Sequence, residues 1–279
     1  MNLSQSVLEL DWQEVEARIK RFIKQYVEHC KAEGIVLGLS GGVDSCTAAA
    51  LSALAIGGDK VLGLMLPERE TYNRIDIEDA MRVAEKFGFK TEMIDITPTL
   101  EAIQSTIPIF NHEDKLSKGN LKARLRMIYL YYYANRFNLI VCGSSDKSET
   151  MIGYFTKWGD AAADIAPLMD LYKTQVRKLA KYIGIPEDIA NKPSSPSLWP
   201  GQMAEEEIGI RYEILDLILY GLEHFMKTEE IANQLKLEKD IVDKVKDRWK
   251  HTEHKRRIPP TAKIQYRTVG LDFRIPYTS

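Results

Sequence analysis

Apolar residues near the start of the chain recur every three or four positions: Val15, Ile19, Phe22, Ile23, Tyr26 and Val27, between Trp12 and Lys31. That spacing predicts a helix with one apolar face. The pattern then changes. Residues 34–39 form a short apolar run leading straight into Ser40-Gly41-Gly42-Val43-Asp44-Ser45, followed by small residues from Cys46 to Leu54. This order predicts a buried strand, a glycine turn and a helix over 45–56. The alternation repeats. Gly57-Gly58-Asp59 breaks the chain, and residues 60–66 predict a second strand stopped by Pro67. A helix over 74–87 stops at Gly88, and residues 91–96 predict a third strand. Helices near 97–105 and over 120–137, separated by a polar loop at 111–117, precede a fourth strand over 139–142. Strands alternating with helices imply an α/β fold with a doubly wound parallel sheet, whose ligands bind beyond the carboxyl ends of the strands. Segments 40–45, 66–70 and 143–149 all fall at that edge.

After residue 150 the alternation stops. Helices are predicted over 171–183, 204–225, 228–235 and 238–250, and the tail has strand-like pieces and three prolines. The segment from Lys192 to Gly201, with Pro193, Pro196 and Pro200, reads as either a linker or an active-site flap. Glu205, Glu206 and Glu207 fall in a first helical turn and read as structural. We expect a single domain over 1–279, with a nucleotide-binding core at about 15–190 and a C-terminal helical part and tail at about 191–279. Two helices carry more apolar residues than one buried face needs. Helix 120–137 has Tyr129, Tyr131, Tyr132 and Tyr133, and residues 208–225 include Ile208, Ile210, Tyr212, Ile214, Leu215, Leu217, Ile218, Leu219, Leu222 and Phe225. Each is expected to bury one face on the sheet and one on a partner subunit, the alternative being a thick monomer core.

Composition narrows the function classes. A content of 44% hydrophobic and 28% charged residues in 279 is that of a soluble globular protein. A net charge of −2 and a pI near 6.3 argue against broad nucleic-acid binding. No apolar run approaches a membrane span, and the N-terminus has no basic segment followed by an apolar core. Cys30, Cys46 and Cys142 are isolated, with no CxxC, which fits a reducing cytoplasm and makes zinc or dithiol chemistry unexpected.

The chemistry begins at residues 40–45. Adjacent glycines let successive backbone N–H groups converge on an anion, and a helix N-terminus adds partial positive charge there. Ser40 and Ser45 add hydroxyl donors. Asp44 suits such a site only if a metal ion bridges it to phosphate oxygens. The plainer alternative is a strand-to-helix turn with serine capping; the full SGGVDS string after a strand favours the phosphate cradle.

That string resembles the pyrophosphate-binding loop of the ATP pyrophosphatases, which include NAD, GMP, asparagine and argininosuccinate synthetases and tRNA-modifying enzymes. It is not a Walker loop, since GxxxxGK[ST] is absent. Four further segments narrow the resemblance: GNLKARLRM at 119–127, GSSDKSE at 143–149, GYFTKWGD at 153–160 followed by DIAPL at 164–168, and HKRR at 254–257. In this order, from about residue 15 to 260, they resemble the stand-alone, ammonia-using NAD synthetases.

The resemblance implies an adenine nucleotide alpha hydrolase-like, Rossmann-like fold with C-terminal helices. It implies an activity in which ATP adenylates the carboxylate of nicotinate adenine dinucleotide (deamido-NAD) and ammonia displaces AMP. The length leaves no room for the amidase domain of glutamine-dependent relatives. The implied ATP site is Gly38, Leu39, Ser40, Gly41, Gly42, Val43, Asp44, Ser45, Ser144, Lys173 and Ser195. Mg²⁺ would be held by Asp44 and Glu149, and deamido-NAD by Arg124, Lys157, Asp164, His254 and Lys255. Asp44 and Lys173 would carry the catalysis. Asp160 and Asp164 are the candidates for deprotonating ammonium. A cytoplasmic homodimer with the dinucleotide at its interface is also implied.

Read without the resemblance, several of these residues have plainer alternatives: a solvated lysine for Lys173, a first-turn acid for Glu149, a surface arginine for Arg124, a solvated basic run for 255–257. Relatives often have glycine where this chain has Ala161, so a left-handed backbone there would be strained. The rival functions are a tRNA-modifying pyrophosphatase, which would need a basic RNA surface, and an ATP sensor, which would need neither Glu149 nor GYFTKWGD.

Overall fold

The computed structural model describes residues 2–269 and Asp272. The chain forms α1 (Trp12–His29), β1 (Gly34–Gly38), α2 (Val43–Ile56), β2 (Val61–Met65), α3 (Arg74–Phe87) and β3 (Lys90–Met93). It continues with α4 (Thr97–Thr106), α5 (Lys115–Phe137), β4 (Leu139–Val141) and α6 (Lys147–Ile152). Short and medium helices complete it: α7 (Lys173–Tyr182), α8 (Glu187–Ala190), α9 (Ala204–Ile208), α10 (Tyr212–Glu223), α11 (Thr228–Leu235), α12 (Lys239–His251) and α13 (Glu253–Arg256).

The four strands are parallel in the order β3-β2-β1-β4. Ile35 pairs with Val61 of β2 on one side and with Ile140 of β4 on the other. From β1 the chain winds outward through β2 and β3, then returns to the opposite side of β1 as β4. The crevice beyond the carboxyl ends of β1 and β4 is therefore the switch point of the sheet, where such folds receive ligands. Both faces are covered, as parallel sheets require. Ile35 and Leu37 face a core shared with α1, α2, α3 and α7, whereas Val36, Leu64 and Val141 face α4 and α5. A third apolar cluster joins Leu3, Leu8 and Ile152 to α10, α11 and α12.

The fourth strand expected over 139–142 holds: past β4, Cys142 still pairs, donating its N–H to the Val36 carbonyl at 2.9 Å and bridging Ile165 in parallel, and the Gly143 N–H donates to the Ile165 carbonyl at 2.8 Å. Three other expectations need correction. The third strand is shorter than 91–96, because the Asp95 carboxylate turns the chain by accepting from the Thr97 N–H at 2.8 Å. The expected helix over 204–225 is two helices, since Gly209 adopts a left-handed φ of 81° and ends α9. The tail forms no strand over 258–268, and residues 270, 271 and 273–279 lie outside the described residues.

The apolar surplus of α10 is also absorbed within the chain. Tyr212, Leu215, Leu217, Ile218, Leu219 and Leu222 are buried, packed with α6, α11, α12 and the N-terminal segment. Its second apolar face needs no partner subunit. Helix α5 differs: Ile128 and Tyr132, one turn apart, are 55% and 66% exposed. Among the described residues no helix is long and apolar enough to cross a membrane.

Candidate active site

The SGGVDS loop joins β1 to α2 and is knitted by its own serines. Ser40 Oγ and Ser45 Oγ lie 2.9 Å apart, the Ser40 N–H donates to Ser45 Oγ at 3.1 Å, and the Gly42 N–H donates to Ser40 Oγ at 3.3 Å. Gly41 is the position that only glycine fits. Its φ is +78°, and a Cβ would stand 2.1 Å from the Asp76 carbonyl oxygen of α3. Gly42 is different: its φ is −84°, and a Cβ there would meet nothing nearer than Ser40 Oγ at 3.4 Å. Its bare backbone leaves room over the start of α2, where an anion is favoured by the helix N-terminus. Leu39 and Val43 are buried in the sheet core, so they contribute backbone only. Cys46 is buried behind the loop, and burial pushes its thiol up to about 12, so it is no nucleophile.

Beside the loop, three carboxylates converge on one ammonium. Lys173 Nζ, fully buried, lies 2.7 Å from Asp44 Oδ2, 2.6 Å from Asp146 Oδ2 and 2.9 Å from Glu149 Oε1. Asp44 comes from the first turn of α2, and Glu149 from the first turn of α6, just past β4. The two acids expected at adjacent strand ends therefore meet at the switch point. Lys173 is the first residue of α7 and not a solvated surface lysine. Asp146 was not anticipated. It is the N-cap of α6, where its Oδ1 accepts from the Glu149 N–H at 2.9 Å, which leaves Oδ2 for the lysine.

The charges are unbalanced. Burial pushes the Asp146 carboxyl well above its usual range, with Glu149 and Asp44 adding to the effect. Glu149 is raised as well, by burial first and despite Lys173. Burial alone would lower the Lys173 ammonium, but Asp146, Asp44 and Glu149 outweigh it and hold it well above the usual lysine range. One oxygen of each acid lies within 4.8 Å of the others, and Asp44 Oδ1 is buried with no hydrogen-bond partner. An all-oxygen set with excess negative charge and an unused lone pair fits a hard divalent cation such as Mg²⁺.

The NAD synthase family profile matches residues 15–259. The chain belongs to the NAD synthase family. It is 48% identical to the NH(3)-dependent NAD(+) synthetase of Methanocaldococcus jannaschii, over 90% of this chain and 97% of the relative. Identity to the NH(3)-dependent NAD(+) synthetase of Pyrococcus furiosus is 44%, over 91% and 96%. Among solved structures, the NMN synthetase of Francisella tularensis superposes with a TM-score of 0.81 at 34% identity, over 92% of this chain and all of that one. The NH3-dependent NAD synthetase of Campylobacter jejuni superposes with a TM-score of 0.76 at 30% identity, over 91% of this chain and all of that one.

In this NAD synthase fold most of the remaining predicted residues form a second group. Lys157 Nζ donates to the His254 carbonyl at 2.7 Å, and Arg124 Nη2 to the Lys157 carbonyl at 3.3 Å. Lys255 Nζ donates to the carbonyls of Gly153, at 2.5 Å, and Phe155. Arg124 is exposed on α5, whereas Arg126 turns inward to the Leu66 carbonyl at 3.0 Å. Asp164 stands apart. It accepts from the Val141 N–H at 2.8 Å and the Tyr131 hydroxyl at 3.3 Å, with no hydrogen bond or ion pair to the other four. Asp160 accepts from the Thr156 N–H at 2.9 Å, away from the Lys173 cluster. The basic run at 255–257 is not one solvated surface: Arg256 donates to the Thr150 and Met151 carbonyls at the end of α6, and Arg257 is exposed. Ala161 does not have a positive φ; Trp158, at 62°, takes the left-handed position in this loop.

Ser144 is half-buried on the loop after β4. Ser195 Oγ donates to the Gln202 carbonyl at 2.6 Å inside the proline-rich loop. That loop is no linker. Lys192 at its base meets Asp76 at 2.5 Å and Asp79 at 2.8 Å, and the Leu198 carbonyl accepts from Lys122 at 3.0 Å. Glu205, Glu206 and Glu207 lie in the first turn of α9, where Glu205 accepts from the Tyr212 N–H at 3.0 Å and Glu207 accepts from the Tyr154 hydroxyl of the 153–160 segment.

Proposed function

We propose that this protein forms NAD by ATP-dependent amidation of deamido-NAD with free ammonia, releasing AMP and pyrophosphate. The observation that carries the reading is the three-acid, one-lysine cluster at the switch point beside the SGGVDS cradle, in a chain of the NAD synthase family. The backbone from Gly38 to Ser45, with the hydroxyls of Ser40 and Ser45, receives the ATP phosphates. Ser144 and Ser195 are further ATP contacts. Asp44 and Glu149 would hold Mg²⁺, with Asp146 beside them. A divalent cation there would neutralise phosphate oxygens and lower the barrier to carboxylate attack at the α-phosphorus. Lys173, buried among the three acids beside the cradle, supplies a fixed positive charge that would offset charge developing on the phosphates in the transition state. Arg124, Lys157, His254 and Lys255 take the dinucleotide, with Asp164 at its edge.

The decisive assay supplies ATP, Mg²⁺, deamido-NAD and ammonium and quantifies NAD, AMP and pyrophosphate. Equal amounts of all three are expected, with a loss on the order of 10²-fold in Asp44→Asn. ATP binding without NAD would sink the reading. The likeness to the Francisella NMN synthetase makes nicotinate mononucleotide the competing substrate to include; faster amidation of it would move the assignment to the mononucleotide.

The working unit we propose is a cytoplasmic homodimer built on α5. The exposed stripe Arg124, Ile128 and Tyr132 sits at i, i+4, i+8, so a partner covering Ile128 and Tyr132 would also reach the dinucleotide group. Ile128→Glu is expected to halve the mass seen by light scattering and to raise the KM for deamido-NAD. An unchanged mass in both proteins would remove α5 as the interface.

A further inference from the structure

Helix α10 is almost entirely apolar where it is buried, yet it carries two buried polar groups on one face, Tyr212 and Asp216, four residues apart. A buried carboxylate in such a setting must be fully partnered. Asp216 Oδ1 accepts from Ser148 Oγ at 2.5 Å, and Oδ2 accepts from the Thr174 N–H at 2.9 Å and Thr174 Oγ1 at 2.7 Å. Ser148 Oγ in turn accepts from the Lys173 N–H at 2.9 Å. The first two N–H groups of α7 are thus satisfied from outside that helix, by Ser148 and Asp216. One turn earlier, the Tyr212 hydroxyl donates to Glu149 Oε1 at 2.9 Å.

The bonds of Asp216 land on residues next to the three-acid cluster, whereas the Tyr212 hydroxyl bonds Glu149 of the cluster itself. Ser148 precedes Glu149, and Thr174 follows Lys173. Asp216 makes no hydrogen bond to the cluster's own charged atoms, so it acts through α6 and α7. We infer that Asp216, with Tyr212 beside it, is a positioning residue for the amidation reaction: it joins the start of α6 to the start of α7 and so sets the separation between Glu149 and Lys173. The inference rests on the function proposed above. Displacements of an ångström at a reacting centre change rates by one to two orders of magnitude, so the effect belongs in kcat and in cation binding rather than in substrate affinity.

The test uses the full chain with Asp216→Asn, Ser148→Ala and the double variant. Asn keeps the shape but cannot accept from both Ser148 and Thr174 as a carboxylate does. Asp216→Asn is expected to lower kcat about tenfold with the KM values for ATP and deamido-NAD within about twofold. It should also weaken the Mg²⁺-induced rise in unfolding temperature measured without nucleotide. Ser148→Ala should move kcat and the Mg²⁺ response in the same direction by less, and the double variant should fall short of the product of the two single effects, because the Ser148–Asp216 bond is common to both. The inference is overturned if Asp216→Asn lowers only the unfolding temperature while kcat and the Mg²⁺ response stay at wild-type values. It is equally overturned if the two effects multiply. Should Asp216→Asn fail to fold, Ser148→Ala alone decides by the same two readouts. A wild-type protein that makes no NAD would instead overturn the proposed function.

Discussion

Lys173→Met will destabilise the protein by about 3–5 kcal/mol in the presence of a chelator, and Mg²⁺ will restore part of the loss. The reason is geometric. Lys173 is fully buried and, among the described residues, is the cation within ion-pair distance of Asp44, Asp146 and Glu149. Methionine has a similar volume, so packing is nearly preserved and the change isolates charge. Without the ammonium, three carboxylates face one another in a site with little access to water. They respond by binding protons, which fixes the sign of the pH dependence. Burial already raises Asp146 and Glu149 in the native protein, and removal of Lys173 raises them further. A carboxyl whose folded pKa lies above its unfolded pKa binds more protons when folded, so stability falls as pH rises through that interval. The variant should therefore be closest to wild type near pH 5 and furthest from it near pH 8. A divalent cation at the cluster supplies positive charge that methionine cannot, and the Mg²⁺-induced shift in unfolding temperature should be larger in the variant than in the native protein. Turnover should fall roughly 10³-fold at saturating Mg²⁺, since stabilisation of the folded state does not replace the positive charge that the proposed function assigns to Lys173. Urea titrations at both pH values, with chelator and with Mg²⁺, check this. A variant as stable as wild type at pH 8 with chelator would mean that the acids are not held together by this lysine.

The sequence made the strand-loop-helix at 34–56 legible because each position there has a local reason: apolar run, glycine turn, small-residue helix. The same holds for the switch-point edge, since strand order matters less than which ends face the ligand. Asp44, Lys173 and Glu149 could be named from motif resemblance, but their meeting at one ammonium is a tertiary fact. Asp146 escaped because a helix N-cap explains an aspartate three residues before a glutamate without any need of a lysine. Its local signal was present and complete in itself. Asp216 left a different signal: an aspartate inside the apolar stretch Ile214 to Leu222, which had to be either buried with partners or a break in the helix. Hydrophobic periodicity reports that the second apolar face of α10 is covered and not by what. The covering helices α11 and α12 come from the same chain. The left-handed Gly209 that divides 204–225 was masked by good helix formers on both sides.

Lys122→Met should produce a second loss of about 3–5 kcal/mol, and here the charge and the flap can be separated. Lys122 lies in GNLKARLRM on α5 and is fully buried. Its Nζ is 2.6 Å from Glu68 Oε2, itself only 3% exposed, 3.0 Å from Glu70 Oε2 and 3.0 Å from the Leu198 carbonyl. One ammonium thus joins the loop after β2, helix α5 and the proline-rich flap. Methionine strands the Glu68 carboxylate in the interior, which is the larger part of the loss, and also frees Leu198. Combining Lys122→Met with Glu68→Gln removes the stranded charge while keeping the Glu68 side-chain oxygen that accepts from the Glu70 N–H at 2.9 Å. The double variant should recover most of the stability, because an absent ion pair is far less harmful than a broken one. It should not recover the flap. Leu198 would remain untied, three residues from Ser195, so proteolysis within 193–203 should accelerate and the KM for ATP should rise severalfold with little change in unfolding midpoint. If the double variant has wild-type stability and a wild-type KM for ATP, Lys122 serves the fold alone. If KM rises while stability returns, the same lysine that neutralises Glu68 also holds the flap against the nucleotide site.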